Sequence, residues 1–587
     1  MALLRRARPD TGPSRAAPVI RPPLGPAPAG RPRLGDLLQM RGAIQASELA
    51  TALTHQEASG RRLGTILVEQ GVIDDRVLAE VLGKQFEIPL ADLRHEIPQP
   101  EATVLVSESA ARNLLVLPLR LESNKLHVVV ADPLDTRIGD LLSVLPVDEI
   151  ELHIAPAEEI RSAVNACYRA LAEVSQHVEA FRTTEAERSL AAAGARIDAG
   201  DDAPIIQVVN KMVTQALRDR ASDIHIEPSS DRLRIRFRID GALNEVLLLP
   251  SAMGPALVSR IKIMANMNIV ERRRPQDGQF AMTIDGRDVD VRVATSATIF
   301  GEKAVLRLLD KSRSLYTLKD LGMPTEIHTR YSQVARSPFG MLVVSGPTGS
   351  GKTTTLYATL TEINRTEVNV TTIEDPVEYV FPSINQIQIN EQADITFATG
   401  LKSILRQDPD VILVGEVRDV ETARIAVQSA LTGHFVLSSI HATDASSALY
   451  RLVDMGIEPF LVASSIVGVV AQRLVRRICA GCRAPFRPAS ADLFWFEQIG
   501  GTLQDVWYHG EGCNLCAGSG YRDRIGAFEV LPVTDDVRQM VVAGGTPQQL
   551  RALAISNGMR PLQSEALRLV TEGVTTIAEI IRTVYVV

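Results

Sequence analysis

The chain has 587 residues, 45% hydrophobic and 22% charged, with a formal charge of −8. Such a length exceeds a single hydrophobic core and implies about three or four domains. The acidic balance excludes a dominant basic footprint for tight nucleic-acid binding, and no run reaches the ~18 apolar residues that span a bilayer.

Residues 1–32 combine Arg5, Arg6 and Arg8 with eight prolines. Without a continuous apolar stretch they do not read as a secretory signal, and a disordered tail on an intracellular protein is expected. A duplication with a 29-residue period follows. Residues 33–56, RLGDLLQMRGAIQASELATALTHQ, align without a gap on residues 62–85, RLGTILVEQGVIDDRVLAEVLGKQ. Each copy predicts a short helix, a turn at Gly42 or Gly71, and a second amphipathic helix. From about residue 102 short strands such as 126–130 mix with helices, so residues 33–170 form one N-terminal domain, expected to be mainly helical. Cys167 is expected as an ordinary buried thiol. A polar, alanine-rich linker is expected over 171–203.

Residues 204–312 open on an amphipathic helix (Ile205, Val208, Met212, Ala216) and continue in alternating strands at 224–226 and 233–238, with a helix near 253–267. This predicts an α+β, PAS-like domain. Beyond 313, apolar strands at 342–345, 370–373, 411–414 and 435–440 alternate with helices. That alternation predicts an α/β core with a parallel, RecA-like sheet. Residues 459–472, including Val467, Val469 and Val470, are expected as a core helix. The basic clusters Arg272-Arg273-Arg274 and Arg473, Arg476, Arg477 read as solvated faces or subunit contacts.

The run Met341–Ser345 feeds GPTGSGKTTT at 346–355. A buried strand, a glycine-rich turn and a helix N-terminus are what a phosphate loop requires. Gly346, Gly349 and Gly351 free the backbone around Pro347, Thr348 and Ser350 to point N–H groups at phosphate oxygens. Lys352 is expected to reach the β/γ-phosphates and Thr353 to offer its hydroxyl to Mg²⁺, with Thr354 next to it. Glu416 ends the strand of DPDVILVGE, at the sheet edge where parallel sheets bind ligands. Glu374 and Glu378 in TIEDPVE are candidates to orient the attacking water, Glu378 first. His434 and His441 bracket a strand and are candidate γ-phosphate sensors. Cys479-x-x-Cys482 and Cys513-x-x-Cys516, separated by 30 residues, can hold one tetrahedral structural zinc ion.

GPTGSGKTTT, TIEDPVE, LRQDPDVILVGEVRD and TGHFVLSSIH, with ASDIHIEP, RIRFRIDG and GEKAVLRLLD upstream, resemble the secretion-traffic ATPases of type IV pilus assembly and type II secretion. The resemblance covers about residues 33–587. It implies a cytoplasmic homohexamer that hydrolyses Mg-ATP, associates peripherally with the inner membrane through platform and docking proteins, and binds no nucleic acid. It also implies that Arg292 and Arg307 reach the nucleotide from the preceding domain, a role suited to a permanently charged fork. Lys402 stands where the family more often has arginine, and HATD at 441–444 departs from the usual HTN, so Thr443 receives no contact. The tetracysteine module is one that assembly ATPases often carry. The duplicated motif resembles tandem motifs that can bind cyclic di-GMP, which would place Arg33, Arg62, Gln56 and Gln85 on that ligand; the alternative is a helical docking module. A nucleic-acid-translocating RecA-like motor and a non-hydrolysing nucleotide sensor are the competing functions.

Overall fold

Gly42 and Gly71 both adopt left-handed backbone angles, φ 70° and 67°, which a side chain would resist. Each therefore reverses the chain after a short helix, and the two copies fold alike in the computed structural model, which describes residues 18–24, 32–174, 178, 204–310 and 316–584. Helices Leu34–Met40 and Ala46–Ser59 form the first copy, Leu63–Glu69 and Asp75–Phe86 the second. Equivalent bonds close both turns, Ala43 N–H to the Leu38 carbonyl and Val72 N–H to the Leu67 carbonyl, 2.9 and 3.0 Å. Each pair packs at a glycine that lacks room for a side chain: a Cβ on Gly35 would stand 3.0 Å from Leu49, one on Gly64 2.7 Å from Leu78.

These helices belong to the first of two compact units, Met1–Glu173 with Glu511–Gly520. The unit is mainly helical, as expected, and its short strands build one four-stranded sheet. Its order is Val19–Arg21, Glu149–Ile154, Lys125–Val130, Val116–Glu122. The strand Val19–Arg21 corrects the expected tail: part of it pairs in parallel with Glu149–Glu151. Most of the remaining tail, and nearly all of the linker expected over 171–203, lie outside the described residues. Cys167 is half-buried, and burial pushes its thiol up to about 11.

The second unit comprises Val174–Gly510 and Tyr521–Val587. It opens with helix Pro204–Arg218 and a six-stranded antiparallel sheet, ordered Ala242–Pro250, Arg232–Ile239, Asp223–Pro228, Gly301–Asp310, Arg287–Thr298, Gln276–Ile284. Helix Met253–Met264 packs on it through Leu257, Val258 and Ile261. A seven-stranded sheet follows, ordered Asn385–Gln388, Val370–Glu374, Val411–Val414, Phe435–Ile440, Gly340–Ser345, Ile466–Ile478, Tyr521–Pro532. Only the last strand is antiparallel to its neighbour. The strand that feeds the glycine loop is thus central and buried throughout. The helix expected over 459–472 is corrected: helix Pro459–Ser465 stops and strand Ile466–Ile478 begins. Ile466, Val467, Val469 and Val470 are stiff at χ1 and favour the extended chain there.

Candidate nucleotide site and metal centre

The loop leaves the C-terminal end of Gly340–Ser345 and enters helix Lys352–Ile363. Gly346, Gly349 and Gly351 have φ of 152°, 76° and 87°. A Cβ on Gly346 would fall 2.5 Å from Ser350 Oγ and 2.7 Å from the Gln472 carbonyl, so the first glycine is dictated by space as well as by angle. Gln472, buried beneath the loop, donates from Nε2 to the Ser350 carbonyl at 2.7 Å. Lys352 bends back so that Nζ donates to the carbonyls of Gly346 and Pro347 at 2.9 and 3.1 Å. Burial pulls its pKa down while Glu416 opposes the shift. A cation held over a ring of backbone groups at a helix N-terminus fits the phosphates of a nucleotide. Thr353 and Thr354 lie half-buried in the first turn of that helix.

Glu416 sits where the sequence put it, just past strand Val411–Val414. His441 Nε2 lies 2.6 Å from its Oε1, and His441 Nδ1 lies 3.2 Å from the Gly346 carbonyl. Lys352, Gly346, His441 and Glu416 therefore form one continuous cluster. His434 does not join it. It precedes strand Phe435–Ile440, whose first residues pair with Gly340, at the end of the sheet away from the loop. Its Nδ1 lies 3.0 Å from the Ser429 carbonyl, so it caps a helix terminus, and the expected sensing role is corrected.

The second acidic loop divides its two carboxylates. Glu374 is fully buried as the last residue of strand Val370–Glu374. It accepts from the Tyr357 hydroxyl, from Thr372 Oγ1 at 2.6 Å and from Gln386 Nε2 at 3.2 Å. A carboxylate so fully engaged is a brace between the loop helix and the sheet. Glu378 keeps solvent on one side, yet the surrounding protein pushes its pKa up, with Arg292 opposing. Arg292 and Arg307 stand directly opposite each other on antiparallel strands. Arg292 Nη2 donates to the Val377 carbonyl at 3.4 Å, and Arg307 Nε to Asp223 at 3.0 Å. Opposed like charges destabilise a sheet, and here Asp223 offsets Arg307 while Glu378 and Asp290 face Arg292. Arg418 links the two acidic loops, with Nε 2.8 Å from Glu416 and Nη1 3.9 Å from Asp375.

The ligand atoms of Cys479, Cys482, Cys513 and Cys516 all lie within 4.8 Å of one another, and all four residues are buried. Two strand ladders bring the knuckles together, through the pairs Ile478↔Tyr521 and Arg483↔Gly510. Cys513 and Cys516 Sγ are 3.9 Å apart, close to the ~3.8 Å edge of a tetrahedron with zinc–sulfur bonds of ~2.3 Å. Cys516 Sγ also accepts from the N–H groups of Cys513 and Gly520, 3.2 and 3.3 Å, bonds that favour a thiolate. The four residues fit a structural zinc ion.

In the duplicated motif, Arg62 forms an ion pair with Asp132. Gln85 Nε2 donates to the Pro32 carbonyl at 2.9 Å, fastening the end of the second copy to the start of the first. Arg33 is exposed at the first helix start, its N–H 3.3 Å from Asp36, and Gln56 is half-buried near the end of helix Ala46–Ser59.

With this geometry in view, residues 198–582 match the family model described as "Type II/IV secretion system protein". The chain belongs to that family. A second model, "MshEN domain", matches residues 86–174 of this type II/IV secretion protein, beginning where the duplicated helices end. The chain is 39% identical over 563 residues to the type IV pilus assembly ATPase PilB of Myxococcus xanthus, covering 94% of this chain and 98% of that protein. It is 42% identical over 493 residues to the type II secretion system protein E of Dickeya dadantii, covering 82% and 97%. Among solved structures it is similar to the Legionella pneumophila ATPase DotB, at 20% identity and TM-score 0.48, over 63% of this chain and 94% of that one. Among the described residues, no helix of this secretion-family chain is long and apolar enough to cross a membrane.

Sequence reasoning missed Tyr357, Arg418 and Gln472, and it read Arg473 as part of a solvated face or subunit contact. Arg473 is half-buried, donating to the Thr443 and Gln472 carbonyls at 2.9 and 3.1 Å. Thr443, to which no contact was assigned, donates from Oγ1 to Asp444 at 3.0 Å. The GEVRD string could have flagged Arg418, since it sits two residues past Glu416. Nothing in the local pattern points Gln472 at a loop more than a hundred residues upstream.

Proposed function

We propose that this protein is an ATP-hydrolysing motor for type IV pilus assembly, working as a homohexamer in the cytoplasm against an inner-membrane platform protein. The observation that carries the reading is the Lys352–Gly346–His441–Glu416 cluster on a glycine loop at the ligand edge of a parallel sheet. The pilus machine is favoured over type II secretion because the likeness to the pilus ATPase extends over 94% of the chain, against 82% for the secretion protein.

The loop N–H groups and Lys352 hold the triphosphate, and Thr353 with Glu416 holds Mg²⁺ directly or through water. Bound Mg²⁺ supplies neutralisation of charge on the transferring phosphoryl group. His441, within hydrogen-bond distance of the loop carbonyl and 2.6 Å from Glu416, ties the acidic strand end to the loop so that closure around phosphate is felt at the sheet edge. Glu378 takes the proton from the attacking water; its raised pKa makes it a stronger base than an ordinary glutamate. Arg292 and Arg307 gather onto the phosphate oxygens, which relieves their mutual repulsion and draws their domain toward the core. That movement is the mechanical output. Four cysteines hold a structural zinc ion, and the duplicated helices bind cyclic di-GMP as a regulatory ligand through Arg33, Arg62, Gln56 and Gln85. For Arg62 this requires exchange of Asp132 for a phosphate.

The reading is tested by ATP turnover of the purified protein. Lys352→Ala is expected to abolish turnover, and added DNA to leave the wild-type rate unchanged; normal hydrolysis by the variant would overturn the mechanism. Calorimetric titration with cyclic di-GMP is expected to give saturable binding that Arg33→Ala with Arg62→Ala removes. No heat from the wild-type protein would sink the regulatory part alone.

A further inference from the structure

Outside the nucleotide site and the tetracysteine centre, the first unit brings two histidines and a carboxylate together on one parallel strand pair. His127 lies on Lys125–Val130, directly opposite Glu151 on Glu149–Ile154, and His153 follows two residues later. We infer that His127, His153 and Glu151 form a second metal site, for a divalent transition ion of the zinc class, within the N-terminal sheet.

The distances carry this assignment. His127 Nδ1 lies 3.0 Å from His153 Nε2 and 3.7 Å from Glu151 Oε2, and one ligand atom from each of the three lies within 4.8 Å of the others. A tetrahedral zinc ion with bonds of ~2.0–2.1 Å separates its ligands by ~3.3 Å, so the spacings found bracket the required edge. Both histidines are buried, at 6% and 9% exposure. The alternation of the two strands, one residue in and one out, holds them on a common face. A single shared proton can satisfy the facing nitrogens without metal. It leaves Glu151 outside the pair, whereas an ion uses all three groups.

The surroundings are compatible with a cation. Arg120 Nη2 lies 3.5 Å from His127 Nδ1, but its Nε is 2.9 Å from Glu122 and its Nη1 3.6 Å from Glu96. Lys125 Nζ is 2.7 Å from Glu151 and 3.6 Å from Glu149, and Arg21 is 3.6 Å from Glu149. Glu122 Oε2 stands 3.8 Å from His127 Nε2. Four carboxylates (Glu96, Glu122, Glu149, Glu151) therefore face three permanent cations (Arg21, Arg120, Lys125), a surplus of one negative charge before any ion arrives. Two imidazoles with one carboxylate suit zinc and its neighbours and disfavour magnesium or calcium, which prefer oxygen-only shells. Three protein ligands leave a fourth position for water, unlike the closed set of four thiolates.

The test uses the full-length protein, stripped with chelator and titrated with Co²⁺. Two ions per chain are expected. One shows the thiolate-to-cobalt charge-transfer bands of the cysteine centre, and the other shows only the weaker visible bands of nitrogen and oxygen ligation. His127→Ala with His153→Ala should remove the second ion and leave the first intact, and Glu151→Gln should weaken the second by about tenfold or more. A wild-type chain that takes up only the thiolate-bound ion overturns the site, as does a double variant that still binds two. X-ray absorption of the zinc-reconstituted wild type gives a reading that needs no variant. A mixed sulfur and imidazole shell is expected, and a shell of sulfur alone excludes the site.

Discussion

Two glutamates four residues apart in one motif have opposite fates, and the difference lies in what surrounds each side chain. Glu374 accepts three hydrogen bonds in the interior, while Glu378 faces Arg292 and solvent. Glu378→Gln is therefore expected to reduce ATP turnover by about 10²–10⁴-fold with nucleotide binding retained, measured as kcat beside an equilibrium binding curve. The pH dependence has a definite sign. The base acts when ionised and its pKa is raised above the usual 4.5, so turnover is full above that raised value and falls as pH drops through it. The acid limb should thus lie at higher pH than an ordinary glutamate would give, and it should vanish from the residual activity of the Gln variant. The chemistry of the loop was legible because glycine, lysine and threonine at fixed spacing admit few other uses. The role of Glu374 was not, because burial depends on Tyr357 and Gln386, whose approach no local pattern records.

Elements were read well wherever a period ran undisturbed. The strands at 411–414 and 435–440 and the paired helices of the duplication fell where apolar spacing placed them. The run 459–472 failed because its first half has helical spacing and its second half is β-branched, and the sheet claimed the second half. His434 was misplaced because sequence shows that a histidine flanks a strand but not which end faces the ligand. At this scale the opposed arginines make a prediction of their own. Arg307→Gln should leave folding stability unchanged or raised by up to about 1 kcal/mol, since it removes a like-charge pair. It should also cut ATP turnover by about 10³-fold, as loss of an arginine that stabilises phosphoryl transfer does. A thermal melt read beside kinetics distinguishes the two effects, and a large loss of stability would mark Arg307 as structural through its Asp223 contact.

For the molecule as a whole, composition announced several domains, and the chain clusters into two compact units. The return of residues 511–520 to the first unit was not legible, because it depends on packing between segments hundreds of residues apart. Strand Ile466–Ile478 runs from beside the phosphate loop to the cysteine centre, with a shift of register between Arg476 and Ile478. Midway along it Gln472 supports Ser350, and one residue beyond its C-terminal end is Cys479. A strand advances ~3.3 Å per residue, so the metal and the nucleotide sit at two points along a single stiff girder. Stripping zinc with a chelator is expected to weaken nucleotide affinity and raise amide exchange at residues 472–478, with the loop sequence untouched. If exchange there stays flat while the metal leaves, the two ends are uncoupled. If the two ends are coupled, the four thiolates act as a tensioner on the strand, and a protein that has lost its metal is expected to slacken at the floor of the cradle before it unfolds.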